Sequence, residues 1–211
     1  MNDSWHQKMK NKHRDELMSA GKELFMRQSF LTVNIKDVCE TAGISRVTFY
    51  KHFQSLDELI LEVQMDLLRR MTAYVEQSAP IEGRGKERLE SMLNGWINFA
   101  LDHPGYIRFI LLFDLHYEAY ISNRDLHERY QRFIREEKEN VFLIDVLHAG
   151  VSDGSLQSGI NVLETAYFIF TSMMGILQKM SLNRMDHIEE KLEHARMPQL
   201  LVTMLMQYLS H

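Results

Sequence analysis

One cysteine and three prolines in 211 residues leave this chain with few cross-links and few breaks. A single thiol, Cys39, excludes an intramolecular disulfide framework and any cysteine-rich zinc site, which fits a reducing cytoplasm. Cys39 itself reads as a small buried residue. With only three prolines and ten glycines, the segments between breakers are long, and their apolar residues recur at helical spacing. No strand pattern, internal repeat or low-complexity tract interrupts them. A charged-then-apolar leader is missing from the N-terminus, and the longest apolar stretch, around 166–177, is too short and interrupted to span a bilayer; a soluble chain without a membrane partner is expected. Also missing are a nucleophile elbow, a phosphate-binding glycine loop and a His-Glu-x-x-His zinc helix. Neither an enzyme nor a cofactor is therefore expected. The ten histidines are scattered, and Asp145 with His148, Asp186 with His187, and Glu190 with His194 read as surface pairs rather than metal ligands.

What is present is a 45% hydrophobic composition, enough for one or two compact domains with a real core. The net charge of −5 is unevenly spread. Residues 1–53 hold nine Lys and Arg against six Asp and Glu, a balance of +3, and residues 54–211 hold fifteen against twenty-three, a balance of −8. A positive end on an acidic bulk favours an orientation in which the N-terminal end meets a polyanion.

Residues 35–53 carry the most specific pattern. Ile35, Val38, Cys39 and Ala42 recur at helical spacing, Gly43 and Ile44 interrupt, and Ser45 opens a second short helix that buries Phe49 and Phe53. Gly43 suits a turn of positive φ, and Cys39 lets the second helix cross close to the first. Ser45 can cap the next N–H groups, with Ile44 stapled onto Phe49. This is a helix-turn-helix. Its outer face carries Arg46, Val47, Thr48, Tyr50 and Lys51, groups that bond phosphates or touch base edges, and so short a helix would enter a major groove by its N-terminal end.

Ala42 to Phe53, followed by Ser55, Glu58 and Leu59, resembles the DNA-binding signature of the TetR family of transcriptional repressors. The resemblance extends upstream through Leu24, Phe25 and Phe30 and covers roughly residues 13–60. It implies that Thr48 and the helix N-terminus read bases and that Tyr50 and Lys51 hold phosphates, within a DNA-binding set of Asn34, Lys36, Ser45, Arg46, Val47, Thr48, Tyr50, Lys51 and His52. Three positions depart from the family pattern. Val47 and Ser29 stand where glycines are common, and Leu56 replaces a frequent phosphate-contacting lysine.

Elsewhere the helical pattern predicts an all-α chain of about nine helices. Residues 1–10 form a polar arm with Lys8, Lys10, Lys12 and Arg14 at or near it, either a solvated tail or a strap onto DNA. A first helix over about 13–28 buries Leu17, Gly21, Leu24 and Phe25. Asn34 can cap the helix that follows, with Asp37 in its first turn. Ser55 and Glu58 make a capping box that opens a long helix ending at Pro80. A further helix over about 86–102 is broken at His103-Pro104-Gly105. A short one bearing Phe109 and Phe113 comes next, and another runs from Leu126 to Gly150. Asp153-Gly154 marks a turn, and Asn161 caps a helix carrying Leu163 to Met180. A last segment over about 198–210 is set apart at Pro198 from an amphipathic piece over 187–196.

These elements divide at residue 54 into a DNA-binding domain, 1–54, and an effector-binding and dimerisation domain, 55–211. Trp96, Phe99, His103, Phe109, Phe113, Tyr117, Phe133, Tyr167 and Phe170 are the candidate lining of a pocket for an apolar or aromatic small molecule; simple core packing is the alternative for each. The helix over 161–180 is apolar on more than one side, which calls for a second copy, with Met173, Gly175, Leu177, Leu201, Leu205 and Tyr208 as candidate interface residues. The function expected is a cytoplasmic homodimeric repressor on a palindromic double-stranded operator, released by such a molecule. A partner-recruiting or architectural DNA-binding protein of the same fold, without an effector, is the alternative.

Overall fold

In a computed structural model, the structure describes residues 2–78, 82–116, 123–138, 141–182 and 188–210. Among them lie ten α-helices and no strand. These are α1 (Asn2–Arg27), α2 (Ile35–Ala42), α3 (Arg46–Phe49), α4 (Leu56–Ser78), α5 (Gly85–Asp102), α6 (Pro104–His116), α7 (Arg124–Phe133), α8 (Val141–Ser152), α9 (Val162–Leu182) and α10 (Ile188–Leu209). None of the described helices is long and apolar enough to cross a membrane.

The chain forms two compact units, and its helices pass from one to the other. Residues 1–68 and 109–133 make the first, residues 69–108 and 134–211 the second. In the first unit Leu17, Phe25, Phe30, Val38, Phe49, Phe53 and Leu59 are buried. Phe109 of α6 completes that core, stacked on Phe25 with centroids 5.6 Å apart and edge-on to Phe30 at 5.3 Å. Each such phenyl ring contributes about 1.5–3 kcal/mol on burial. Phe113 meets Tyr130 edge-on at 5.2 Å, and Tyr130 stacks on Phe133.

In the second unit α5 is packed by α8, α9 and α10. The α5–α8 approach depends on the glycine at 85. A Cβ on Gly85 would lie 2.1 Å from the Gly150 backbone nitrogen. Asp153, in the turn after α8, caps α5 by accepting the Gly85 N–H at 2.7 Å, and Ser155 Oγ accepts the Lys86 N–H at 3.0 Å. Hydrogen bonds from Ser155 and then from Gly85 hold the Asp153 carboxyl below its ordinary pKa. The Asp153-Gly154 turn is as the sequence predicts, with Gly154 at φ 71°.

Three boundaries differ from expectation. The N-terminal arm is helical from Asn2, so α1 runs through Lys8, Lys10 and Lys12. The helix expected over 126–150 is interrupted by a wider π-helical turn at Ile134–Lys138, because Leu126, Tyr130 and Phe133 serve the first unit while Leu143, Val146 and Leu147 serve the second. Pro198 does not separate two pieces. α10 continues through it, giving up the Pro198 N–H, with Pro198, Val202, Leu205, Met206 and Leu209 all buried.

Candidate nucleic-acid interface

The surface expected to meet DNA is built from local bonds. Asn34 Oδ1 accepts the N–H groups of Lys36 at 2.9 Å and Asp37 at 3.2 Å, and Asp37 returns a bond to the Asn34 N–H at 3.0 Å. That closes a capping box and fixes where α2 begins. At its other end Gly43 adopts φ 66° and ψ 29°, and the Ile44 N–H reaches back to the Cys39 carbonyl at 2.9 Å. Any L residue at 43 would be strained in this left-handed turn. Burial pushes the Cys39 thiol pKa up, with nearby Arg46 opposing and Glu40 adding to the shift.

Ser45 starts α3 by accepting the Thr48 N–H at 3.1 Å, and its hydroxyl also meets the Thr48 hydroxyl at 3.0 Å. The regular helix is shorter than expected, ending at Phe49. Beyond it the chain tightens, with the N–H groups of Lys51 and His52 bonding three residues back to Thr48 and Phe49. Phe49 and Phe53 are fully buried, 5.7 Å apart. The opposite side is therefore exposed: Val47 at 71%, Tyr50 at 57%, and Arg46 and Lys51 with them.

All nine expected DNA-binding residues fall on this one segment, though not in equivalent roles. Arg46, Val47, Tyr50 and Lys51 project freely enough to meet a duplex. Asn34 and Ser45 use their side chains as caps, Thr48 is held by Ser45, and Lys36 lies 3.6 Å from Glu40. His52 sits edge-on to His13, with ring centroids 6.3 Å apart.

Sequence reading missed the residues that fasten this segment from outside. Ser55 Oγ caps α4 through the Glu58 N–H at 3.1 Å, as expected, but the Glu58 carboxylate reaches the Gln54 N–H and also receives Arg129 of α7 at 2.8 Å. Arg129 bonds Glu62 as well, at 2.5 Å. Burial alone would lower the Arg129 pKa, but the hydrogen bond and charge of Glu58, with Glu62 and Asp125 behind it, raise it above the ordinary value. Two glutamates one turn apart on the same helix were the only signal in the sequence.

Residues 17–63 match the family model described as bacterial regulatory proteins, tetR family. Over 149 residues the chain is 23% identical to the HTH-type transcriptional repressor KstR2 of Mycolicibacterium smegmatis, covering 71% of this chain and 70% of that protein. Residues 17–63 thus carry a tetR-family domain. Two solved structures extend the likeness to the fold. The ketosteroid transcriptional regulator KstR2 of Mycobacterium tuberculosis superposes with a TM-score of 0.63 at 17% identity, over 94% of this chain and 95% of that one. FadR from Bacillus subtilis, solved in complex with stearoyl-CoA, gives 0.68 at 15% identity, over 92% and 98%. The chain is a DNA-binding transcriptional regulator, all-α among the described residues, with an N-terminal helix-turn-helix headpiece and a helical remainder.

The expected pocket residues of this regulator are divided between its two units. Phe109, Phe113 and Phe133 are core residues of the first. In the second, Trp96 lies edge-on to Phe170 at 6.1 Å, and His103 stacks on Tyr106 at 5.0 Å and meets Phe99 at 4.9 Å. Tyr167 is exposed, and Tyr117 lies outside the described residues. Of the expected interface residues, Met173, Leu177 and Leu205 are consumed by the second unit's own core, and Leu201 is half-buried. Gly175 has open space over its α-carbon, and Tyr208 is exposed. Uncovered apolar residues include Leu163, Tyr167, Phe168 and, at 36% exposure, Phe170 on α9, and Met197, Leu200, Met204 and Tyr208 on α10. Asp145 and His148 are both exposed, residues 186 and 187 lie outside the described residues, and of the side chains of Glu190 and His194 nothing is described.

Proposed function

We propose that the chain is a cytoplasmic homodimeric repressor that grips a palindromic double-stranded operator and lets go when an apolar or aromatic small molecule binds. The reading rests above all on α3, where burial of Phe49 leaves Arg46, Val47, Tyr50 and Lys51 outside. Val47 and Thr48, at the start of the helix, read base edges, and Tyr50 and Lys51 hold phosphates. Arg46, Ser45, Asn34, Lys36 and His52 border that contact. Functionally, residues 1–54 bind DNA and residues 55–211 bind effector and partner copy.

A second copy covers the exposed apolar residues of α9 and α10, which a lone chain leaves in water. Gly175 lets the two backbones approach. The effector lies among the aromatics of the second unit, near Trp96, Phe99, His103 and Phe170. KstR2, a ketosteroid regulator, and FadR, seen with stearoyl-CoA, support a largely apolar ligand class.

Selection from random duplexes gives the operator. On the recovered sequence, Lys51→Ala should flatten the salt dependence of log affinity by about 0.9 for the one phosphate it no longer neutralises, and Val47→Ala should change base preference instead. Equal effects of both on random and recovered DNA would refute the assignment. For the effector, a Trp5→Phe background isolates Trp96 fluorescence. Ligands that release DNA should perturb that signal, and DNA should weaken their binding by the same factor. A partner-recruiting protein without effector is the second reading, favoured by the burial of Phe99 in the second unit and of Phe109, Phe113 and Phe133 in the first. No response from stearoyl-CoA, a steroid panel or an aromatic library would make it the better one.

A further inference from the structure

Arg129 lies on α7, 71 residues from Glu58 and 67 from Glu62, yet it bonds both. The two carboxylates are one turn apart on α4, a spacing at which like charges repel and disfavour the helix unless a cation stands between them. All three side chains are largely covered, at 29% exposure for Arg129, 15% for Glu58 and 16% for Glu62, so solvent screens them poorly. The planar guanidinium supplies one N–H group to each carboxylate, which an ammonium point charge cannot do in the same geometry.

The second oxygen of each glutamate leads to the headpiece. Glu58 Oε2 accepts the N–H of Gln54, the residue after Phe53, at 2.6 Å. Glu62 Oε2 accepts from Arg14 Nη2 at 2.8 Å, and the Arg14 guanidinium lies 5.3 Å above the Phe53 ring. Phe53 in turn packs on Phe49 of α3. Two routes thus run from one arginine, through one glutamate each, one to the backbone of Gln54 and one to Phe53, which anchors the DNA-facing segment. We propose that Arg129 is a positioning residue for DNA binding, fixing the Arg46–Lys51 surface on α4 through Glu58 and Glu62 without touching DNA.

Without Arg129 the two carboxylates face each other, with Arg14 beside Glu62 to offset them. They separate, the Gln54 N–H loses its acceptor, and Arg14 moves off Phe53. The proposal rests on DNA binding by the headpiece, which wild-type binding and the weaker binding of Lys51→Ala test separately. The experiment uses the full chain and the duplex that the wild type recovers from a random pool, with melting followed in parallel. Arg129→Met should weaken binding about tenfold, within the usual range of a coupling between sites, and leave the salt slope at its wild-type value because every phosphate-binding group is still in place. Arg129→Lys should fall between the two. Adding Glu62→Gln to Arg129→Met should recover part of the affinity, since the repulsion disappears while the amide oxygen still accepts from Arg14. Wild-type affinity in folded Arg129→Met overturns the proposal, as does a changed salt slope. Should the Met variant fail to fold, Arg129→Lys decides, and wild-type affinity in that variant overturns it equally.

Discussion

The first compact unit ties its helices together largely with ion pairs, whereas the second relies on apolar packing and backbone caps, beside side-chain bonds from Tyr74 to Asp102 at 3.0 Å and from Gln199 to Asn94 at 3.2 Å. In the first, Arg14 and Arg129 meet Glu62, Arg129 meets Glu58, Lys22 meets Asp66, and buried Gln64 donates to the Tyr130 hydroxyl at 3.4 Å. In the second, the long-range polar contacts include the capping of Gly85 and Lys86 by the 153–155 turn and a bond from Gln157 to the Tyr208 carbonyl. It also leaves leucines, methionines and aromatics of α9 and α10 uncovered. Directional bonds suit a unit whose surface must be presented at a fixed angle to a ligand as rigid as duplex DNA. Undirected apolar contact suits the proposed pairing of the second unit with another copy.

The contrast can be broken most severely at Phe109, which closes the first unit's core against Phe25 and Phe30. Phe109→Ala should cost about 3–5 kcal/mol, read from the midpoint of urea unfolding. In the second unit the corresponding break leaves the fold intact. Tyr167→Glu combined with Tyr208→Glu places charge on the uncovered face and should give a folded monomer by sedimentation, with operator affinity down about a hundredfold as the two half-sites are no longer linked. Charge at Met173 or Leu205 would instead unfold the unit, because both are buried inside it.

Two smaller changes sharpen the comparison. Ser45→Ala removes the α3 cap and should cost about 1 kcal/mol in the unfolding curve while also freeing Thr48. Asp153→Ala probes the second unit's cap. A carboxyl with depressed folded pKa stabilises above its unfolded pKa of about 3.9, and that contribution fades as pH falls through the folded value. The variant should melt slightly lower than wild type at neutral pH, and the gap should close on acidification. A gap independent of pH would assign the destabilisation to packing alone.

Where the structure followed the sequence, the partners were close in the chain. Asn34 with Asp37, Gly43 with Cys39, and Ser45 with Thr48 are each separated by no more than four residues, so residue type and spacing determine the bond. Where the sequence was silent, the partners were distant. Nothing near Phe109 says that it serves Phe25 rather than a pocket, and nothing near Arg129 announces two glutamates on α4. The expected helix over 126–150 shows a third kind of limit. Its apolar stripe is continuous in sequence, yet the two halves are owned by different units, and periodicity carries no label for ownership. Met173 and Leu177 pose the same difficulty on α9, since an apolar residue turned to its own core and one turned to a second copy look alike until burial is known.

The place of Phe109 has a consequence for how the protein is made. Every cap and turn of the DNA-facing segment is complete once residue 58 has emerged from the ribosome, but the aromatic floor beneath it waits for a ring fifty residues further on, and the clasp of Arg129 for seventy. Contacts of such separation form after local ones, because the intervening chain must first surrender its freedom. A nascent or truncated chain ending before α6 would carry the outline of a reading helix on an unfinished base, with Phe25 and Phe30 open to water and to other nascent chains. Completion of the base beneath the DNA-facing segment therefore arrives late in synthesis.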